Sequence, residues 1–544
     1  MKRRDFVQAT ALGAAAVTLG PVHGARAPHR NEPLPTRPLP QSDLDETTIA
    51  ALQADLAAGR RTARSITAAY LARIEAIDRA GPTLRSVITT NPDALALADA
   101  LDAERRAGRV RGPLHGIPVL LKDNVATHDR MATTAGSLAL AGVIAARDAF
   151  IVQRLRAAGA VILGKTNLSE WANFRSTRSS SGWSGVGGQC KNPYALDRNP
   201  CGSSSGTGAA ISANLAVVGI GTETDGSIVC PSNACGLVGI KPTVGLVSRA
   251  GIVPIAHSQD TAGPMARTVT DAAILLAALQ GRDPADPALN GPVASVAPVA
   301  PDYAASLDPN GLRGARIGVP RSRFWGYSTE ADRLCEAALA AMRDAGAVLV
   351  DPAELPNAGE YDGSEYDVLL YEFKADLNTF LPEWTPAAPA RSLADLIAFN
   401  EREREREMPY FGQEIFLAAQ EKGPLTDQAY LDALAKNQRL SRAEGIDAVM
   451  SQHRLDALVA PTGSPPWPTD LVNGDHYIGS SSTPGAVAGY PHVSVPADYA
   501  RGLPVGITFI GRAWSEATLI KLAYGFEQAT KHRRAPGFLP TAAL

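Results

Sequence analysis

Residues 199–231 read NPCGSSSGTGAAISANLAVVGIGTETDGSIVCP, and the rest of the chain is organised around them. A loop of small residues leads into Gly208–Leu215, an alanine-rich segment that favours a helix. The apolar run Ala216–Ile220 then predicts a short buried strand. Ser203 therefore stands at the mouth of a predicted helix, and Ser227 follows soon after a predicted strand. One helix and one strand between the two serines are enough to fold back and bring their hydroxyl groups together.

Ser227 is the better candidate for a nucleophile. Gly202–Gly206 matches the G-x-S-x-G pattern with Ser204 at its centre, but a nucleophile elbow needs a strand that runs straight into it. The polar, turn-like stretch Asp197–Pro200 precedes this pattern, which excludes the elbow. After the predicted strand comes a glycine-containing turn, whose backbone N–H groups can converge on one oxygen, as an oxyanion hole requires. The candidate donors are Thr224, Asp225, Gly226 and Ser227.

A serine hydroxyl becomes a good nucleophile only when a base takes its proton. Histidine is the usual base, and His115 and His257 are available. A lysine can act instead if it is neutral, which near pH 7.5 requires its pKa to fall by about 3 units from about 10.4. Burial beside an apolar strand lowers a lysine pKa in this way, and Lys122, Lys165 and Lys241 all have such a position. Spacing alone does not choose among these residues.

The composition excludes several classes of protein. Of the 544 residues, 45% are hydrophobic and 20% are charged, as in ordinary globular proteins. A formal net charge of −3 gives no reason to expect a nucleic acid or an anionic membrane as a partner. Predicted helices alternate with short apolar strands such as Ala160–Gly164, which indicates an α/β fold with a sheet covered by helices.

The cysteines are odd in number and widely spaced, which does not fit a disulfide framework in a chain of this length. Their neighbours are mostly small or apolar, so we expect buried free thiols. The residues are Cys190, Cys201, Cys230, Cys235 and Cys335.

A charged run lies within residues 375–450, a region that has the pattern of several helices. Glu401–Glu407 reads ERERERE, with opposite charges three residues apart. This alternation predicts a helix face in contact with solvent.

Residues 1–27 depart from the globular composition. Arg3 and Arg4 precede the weakly apolar run Val7–Val22, and Ala25–Ala27 fits a small-x-small cleavage site. This arrangement resembles a twin-arginine (Tat) signal peptide and predicts export to the periplasm or secretion. A membrane anchor is the alternative, which the weak apolar run disfavours.

Four sequence blocks resemble the amidase signature family. They are residues 116–124 (GIPVLLKDN), 164–167 (GKTN), 202–206 (GSSSG) and 221–228 (GTETDGSI). The resemblance extends from Asp43 to Phe538, and the four blocks together are highly specific. It divides the chain into a signal peptide at 1–27, a proline-rich leader at 28–42 and an amidase signature domain at 43–540.

The resemblance implies roles for individual residues. Ser227 would form the acyl intermediate, Ser203 would bridge to the base through a cis peptide bond with Gly202, and Lys122 would be the neutral base. These three side chains would make a Ser-cisSer-Lys triad, with an oxyanion hole in the turn that ends at Ser227. The family has a glycine where this chain has Cys201, which we expect to affect packing rather than chemistry. The implied fold is a single compact α/β domain with a large mixed, twisted β-sheet covered by α-helices, and no metal or cofactor is implied.

Within that family the chain most resembles the bacterial peptide amidases, which hydrolyse the C-terminal amide of peptides. A broad-specificity amidase for small or aryl amides is the alternative, followed by a tRNA-dependent transamidating subunit and a non-catalytic exported binding protein. The substrate would be a peptide or small-molecule amide, and we expect a monomer without a nucleic-acid partner or stable membrane association. Aromatic and amide side chains near the third block are candidates for the pocket: Trp171, Asn173, Phe174 and Trp183.

The signal pattern predicts where the mature protein begins. We expect the native chain to start near Pro28 and to be found outside the cytoplasm, because the small-x-small site ends at Ala27. N-terminal sequencing of the native protein measures this directly. An intact end at Met1 in the cytoplasmic fraction would contradict the prediction.

Overall fold

A mixed sheet of eleven strands is the central feature of the computed structural model, which describes residues 42–289 and 302–542. The signal peptide and all but one residue of the leader therefore lie outside the described residues. Two further strands, β4 and β5, form a hairpin outside this sheet. The strands of the described residues are β1 Val87–Thr90, β2 Pro118–Lys122, β3 Val161–Thr166, β4 Trp183–Ser184, β5 Gly188–Gln189, β6 Val218–Glu223, β7 Val238–Lys241, β8 Thr261–Ala266, β9 Arg316–Gly318, β10 Val348–Val350, β11 Ala457–Pro461, β12 His492–Ala500 and β13 Leu503–Ile510.

Helices cover this sheet. They are α1 Ile49–Ala57, α2 Ala63–Arg73, α3 Ala94–Arg106, α4 Phe150–Ala157, α5 Ser205–Ser212, α6 Val229–Ala234, α7 Val269–Leu279, α8 Thr329–Asp344, α9 Asp362–Trp384, α10 Leu393–Arg402, α11 Arg404–Glu407, α12 Glu414–Gln420, α13 Gln428–Gln438, α14 Asp447–His453, α15 Thr483–Ala488 and α16 Glu516–Thr530. None of the helices in the described ranges is both long and apolar enough to cross a membrane.

The strand order is β1-β3-β2-β6-β8-β7-β12-β13-β11-β9-β10, with β4 and β5 in a separate hairpin. β2 pairs in parallel with both β3 and β6, whereas β8 runs antiparallel to β6. Every residue of β2, β3 and β6 is buried, which accounts for their apolar composition. The α/β fold with a mixed sheet is therefore confirmed, and β6 begins two residues later than the predicted strand.

The pairing of β2 with β6 brings two chain segments to one edge of the sheet. Leu121 lies opposite Ile220, so both parallel strands end at the same edge of the sheet, where β6 extends two residues further than β2. Lys122 is the last residue of β2, and the turn that contains Ser227 follows β6. In open α/β sheets, ligands bind at the carboxyl ends of the strands, and the sequence motifs meet at such an edge.

One feature of the cysteines corrects the sequence prediction. Cys201 and Cys230 form a disulfide that joins the loop before α5 to α6. The other three cysteines are buried free thiols, as predicted, and burial raises the pKa of each thiol. The five cysteines are too few and too unevenly spaced for this single pair to be recognised from the sequence.

The charged run at residues 401–407 also differs from its prediction. Residues 401–406 are exposed or partly exposed, as expected for a solvated helix face. Glu407, however, is fully buried and accepts hydrogen bonds from the hydroxyl of Ser137 and the N–H of Leu138. The prediction is therefore wrong for the last residue of the run, because its partners lie far away in the sequence.

The disulfide predicts a specific thiol count and stability. Alkylation of the denatured, unreduced protein should label three cysteines, and prior reduction should raise the number to five. Because the bond closes a loop of 29 residues, its reduction should lower the free energy of unfolding by about 3–4 kcal/mol.

Mass spectrometry and urea unfolding measure these two quantities. A Cys201→Ser/Cys230→Ser double variant is the control, because its unfolding should not respond to reductant. Five labelled cysteines in unreduced protein would contradict the pairing.

Candidate active site

The amine of Lys122 lies at the centre of a buried hydrogen-bonding group. Its Nζ is 2.7 Å from Oγ of Ser203, 2.9 Å from Oγ1 of Thr222 and 3.2 Å from the carbonyl oxygen of Thr222. The side-chain amide of Asn124 donates to the same Thr222 hydroxyl at 2.9 Å. Lys122 and Ser203 are both 0% exposed. The lysine thus contacts one of the two serines of the sequence motif directly.

The local sequence explains why the amine is there. Lys122 ends the apolar strand β2, and the alternation of side chains along a strand directs it to one face of the sheet. Thr222 lies near the end of the adjacent parallel strand β6. The neighbouring ends of two parallel strands therefore supply the amine and the hydroxyl that holds it.

Burial determines the charge of this lysine. Removal from water lowers the pKa of Lys122 to about 7, although the negative charges of Asp260 and Glu223 oppose this effect. At neutral pH a substantial fraction of the amine is therefore unprotonated. A neutral amine has a lone pair and can accept a proton.

The other candidate bases lie in different surroundings. Lys165 donates to the carbonyl of Val125 at 2.7 Å, and Lys241 donates to the carbonyl of Tyr490 at 2.6 Å. The ring of His115 is 3.0 Å from the carbonyl of Leu101, and the ring of His257 contacts the carboxylate of Asp376 at 2.9 Å. Neither serine has a hydrogen bond with any of these four residues in the described part of the chain.

The loop before α5 presents Ser203. The peptide bond between Gly202 and Ser203 is cis, as the family resemblance implies. The following residue, Ser204, exchanges hydrogen bonds with the backbone of Thr222 at 3.1 and 3.2 Å, and its N–H donates to the carbonyl of Ser227 at 3.2 Å. Ser204 is buried and does not line the cleft. Its role is to hold the loop, the end of β6 and the Ser227 turn together.

The turn after β6 exposes several backbone donors. Gly226 has a φ of +79°, a left-handed conformation that glycine adopts without steric penalty. Within the described residues, the N–H groups of Asp225, Gly226 and Ser227 have no hydrogen-bond acceptor, and all three residues line the cleft. Ser227 itself is 8% exposed. Thr224, the fourth predicted donor, also lines the cleft, and its N–H likewise has no acceptor among the described residues. Unused donors beside a serine are what an oxyanion hole requires.

Two carboxylates fix the conformation of this turn. Glu223 accepts hydrogen bonds from the N–H groups of Ile228 and Val229 at 2.7 and 3.0 Å. Asp225 accepts from the hydroxyl groups of Ser482 and Thr483, next to α15. The turn is therefore held from both sides before any ligand binds.

A cleft of about 750 Å³ lies over these groups, and both Ser203 and Ser227 line it. Of the four predicted pocket residues, Asn173 and Phe174 line the cleft as well. Trp171 packs edge-on against Phe416, and Trp183 packs against Phe411, with ring centroids 5.8 and 5.1 Å apart. These two tryptophans belong to the core, and neither lines the cleft.

Several groups at the site were not predicted from the sequence. Thr222 binds the amine, Asn124 donates to the Thr222 hydroxyl, and the Cys201–Cys230 disulfide lines the cleft. Cys201 therefore does more than fill the space of the family glycine, because it ties the Ser203 loop to the helix after Ser227. Thr222 and Asn124 lie within the recognised sequence blocks, so their position was a signal that they belong to the site.

Comparison with known proteins agrees with this geometry. A family model described as Amidase matches residues 65–520. The structure of the peptide amidase from Stenotrophomonas maltophilia superposes with a TM-score of 0.86 and 53% identity, covering 92% of this chain and all of that one. A peptide amidase in complex with the competitive inhibitor chymostatin gives a TM-score of 0.87 and 54% identity, covering 90% of this chain and 99% of that one.

Curated sequences lead to the same family. A probable amidase of Arabidopsis thaliana is 43% identical over 505 residues, which are 91% of this chain and 92% of the relative. The family model alone spans most of the described residues. The chain therefore belongs to the amidase family and is an amide hydrolase.

Proposed function

We propose that the protein hydrolyses the C-terminal amide of peptides, converting peptide-CONH₂ and water into peptide-COOH and ammonia. The observation that carries this proposal is the contact between the buried Lys122 amine and Ser203, in a cleft that Ser227 also lines. Ser227 is the nucleophile, Ser203 relays the proton and Lys122 is the base.

The hydrogen bonds of Lys122 support its role as a base. A neutral amine has two N–H donors and one lone pair. The carbonyl of Thr222 can only accept, so it takes one donor, and the Thr222 hydroxyl takes the second. The lone pair is then left for Ser203, whose O–H donates to it across 2.7 Å. This arrangement prepares Ser203 to pass on a proton and to receive one from Ser227.

In the first half of the reaction, the Ser227 oxygen attacks the amide carbon. Its proton moves to Ser203, and the Ser203 proton moves to Lys122. The negative oxygen of the tetrahedral intermediate accepts hydrogen bonds from the free N–H groups of Asp225, Gly226 and Ser227. When the intermediate collapses, the proton returns through Ser203 to the nitrogen, and the C–N bond breaks to release ammonia.

In the second half, water hydrolyses the acyl–Ser227 ester. The same relay takes a proton from water as it attacks, and then returns one to the Ser227 oxygen as the C–O bond breaks. The products are the free acid and the regenerated serine, so that no further reactant is needed. One base thus serves both halves of the reaction.

Two observations support a peptide as the substrate. The cleft of about 750 Å³ is larger than a small amide needs and lies within the usual size range of ligand pockets. The similar structure that binds chymostatin is a peptide amidase. Polar and aromatic groups such as Asn173, Phe174 and Tyr477 line the cleft, where they would contact the residues before the terminal amide.

The disulfide supports export of the protein. Disulfides persist in oxidising compartments and are rare in the cytosol. The Cys201–Cys230 bond therefore fits the location that the twin-arginine pattern predicts, outside the cytoplasm.

Lys122 as the base predicts the pH dependence of activity. Because only the neutral amine accepts a proton, and the pKa of Lys122 is about 7, activity should rise with pH through that value. Below it, kcat/KM should fall about tenfold for each pH unit. Lys122→Ala should reduce single-turnover rates by about 10²–10⁴-fold or more.

The effects of Lys122→Ala and Ser203→Ala should not add in the double variant, because the two residues form one relay. His115→Gln is the control. It should keep the wild-type activity and the same fall of kcat/KM at low pH, here called the acid limb. A folded Lys122→Ala protein with the wild-type rate would exclude this base.

The position of cleavage is a further expected result. Incubation of an amidated peptide should yield only the free acid and ammonia, since the proposal restricts the enzyme to the terminal carboxamide. Mass spectrometry of all products, beside the same peptide with a free carboxyl end, measures this. A Ser227→Ala protein is the control for contaminating activity and should release no ammonia. Internal fragments that appear as fast as the free acid would indicate a peptidase instead.

A further inference from the structure

A second cavity, of about 230 Å³, adjoins the substrate cleft at Thr224. Thr224 and Ile255 line both cavities. Thr222, which binds the Lys122 amine, and Asn124, which donates to the Thr222 hydroxyl, line the second cavity and not the cleft. The base and the turn at residues 224–227, here called the oxyanion turn, can therefore be influenced from a side other than the cleft.

Asp260 lines this second cavity and contacts the oxyanion turn. Its Oδ1 accepts a hydrogen bond from the Thr224 hydroxyl at 2.6 Å. Its Oδ2 accepts from the N–H groups of Ile255 and Ala256 at 2.8 and 3.0 Å. The preceding residue, Gln259, donates to the carbonyl of Thr224 at 3.4 Å. Two consecutive residues of one loop thus hold Thr224 at its hydroxyl and at its carbonyl.

The loop at residues 255–260 is fixed to helix α9. The contacts join the His257 ring to Asp376 at 2.9 Å, the Ser258 N–H to Glu372 at 2.9 Å and the Gln259 amide to Glu365 at 3.0 Å. Asp260 is therefore presented to Thr224 from a support that is itself anchored. Such a second layer of contacts is what keeps catalytic groups in register.

Asp260 also acts on the base by its charge, because it lines the same cavity as Thr222, whose hydroxyl and carbonyl bind the Lys122 amine. Asp260 and Glu223 are the charged groups that act on Lys122, and both favour the protonated amine. Arg249 is the cation that acts on Asp260. Burial raises the pKa of Asp260 to about 6, despite its hydrogen bond from Thr224. The carboxylate is thus mostly ionised in the pH range where Lys122 changes its charge.

A purely structural role would explain only part of this arrangement. An aspartate that accepts from the N–H groups of residues 255 and 256 is a common way to close a turn. That role requires neither the hydrogen bond to Thr224 nor a position in the cavity that Thr222, the partner of Lys122, also lines. These two additional interactions connect Asp260 to both working parts of the site.

We propose that Asp260 is a positioning residue of the reaction, which holds the oxyanion turn through Thr224 and supplies negative charge beside Lys122. The inference rests on the proposed function, since it assumes that Lys122 is the base. Asp260 itself does not line the substrate cleft.

Asp260→Asn tests the charge separately from the contacts. The Asn side chain can donate to the Thr224 hydroxyl and accept from Ile255 and Ala256, so that the hydrogen bonds are kept with one direction reversed. Without the negative charge, the protonated Lys122 is less stable. The acid limb of kcat/KM should therefore move to lower pH, and activity at pH 6 relative to pH 9 should rise roughly threefold or more.

Asp260→Ala tests the contacts. It removes the hydrogen bond to Thr224 and loosens the oxyanion turn, so that kcat should fall roughly tenfold or more with little change in KM. Asp376→Asn is the matched control, because Asp376 lines the same cavity but contacts His257 rather than Thr224. Its acid limb should stay where the wild type has it.

The outcomes separate the inference from the proposed function. If Asp260→Asn is folded by circular dichroism but its acid limb does not move, while the wild type keeps that limb and Lys122→Ala is inactive, the role of Asp260 is overturned. An equal shift in Asp376→Asn overturns it too. A wild type without an acid limb, or an active Lys122→Ala, contradicts the proposed function itself. If Asp260→Ala does not fold, the Asn variant decides.

Discussion

The burial of Lys122, which lowers the pKa of its amine, is the constraint on which the rest of the structure depends. Lowering the pKa of Lys122 from 10.5 to about 7 costs about 5 kcal/mol at neutral pH. That is as large as the whole free energy of unfolding of some small domains. The cost is offset by a sheet of eleven strands, in which the strands around the amine are buried on both faces. A large domain is therefore a requirement of this chemistry, because one dry position has to be maintained beside an open cleft.

Features that depend on residues close together in the sequence were predictable. The apolar runs before Lys122 and Thr222 identify two buried strands. The alanine-rich segment identifies α5, although α5 begins at Ser205, three residues before the predicted helix. Those apolar runs do not determine which strands pair with each other. Three lysines lie beside apolar strands, and only the neighbourhood of β2 and β6 decides which amine meets Ser203, 81 residues away. Family resemblance selected Lys122, because local physical chemistry could not.

Other elements escaped prediction because their local sequence argues against them. β8 and β12 contain Pro264 and Pro496, and proline removes a hydrogen-bond donor from a sheet. In the structure Pro264 lies opposite Ile220, and the register of β12 shifts just after Pro496. Glu407 is a similar case, since its partner Ser137 is 270 residues away. Periodicity describes the exposure of a regular element, but it contains no information about partners from elsewhere in the chain.

The distance along the chain between contacting segments also has a consequence for the protein during its synthesis. β7, which follows the turn that contains Ser227, pairs with β12, where His492 lies opposite Lys241. The ribosome synthesises Lys122 and both serines long before Ser482 and Thr483, whose hydroxyl groups hold Asp225 in the turn that contains Ser227. Contacts between such distant segments form late in folding. A nascent chain thus contains all three side chains before the contacts that hold this turn can form. We therefore expect the protein to become active only after nearly all of its chain has been synthesised.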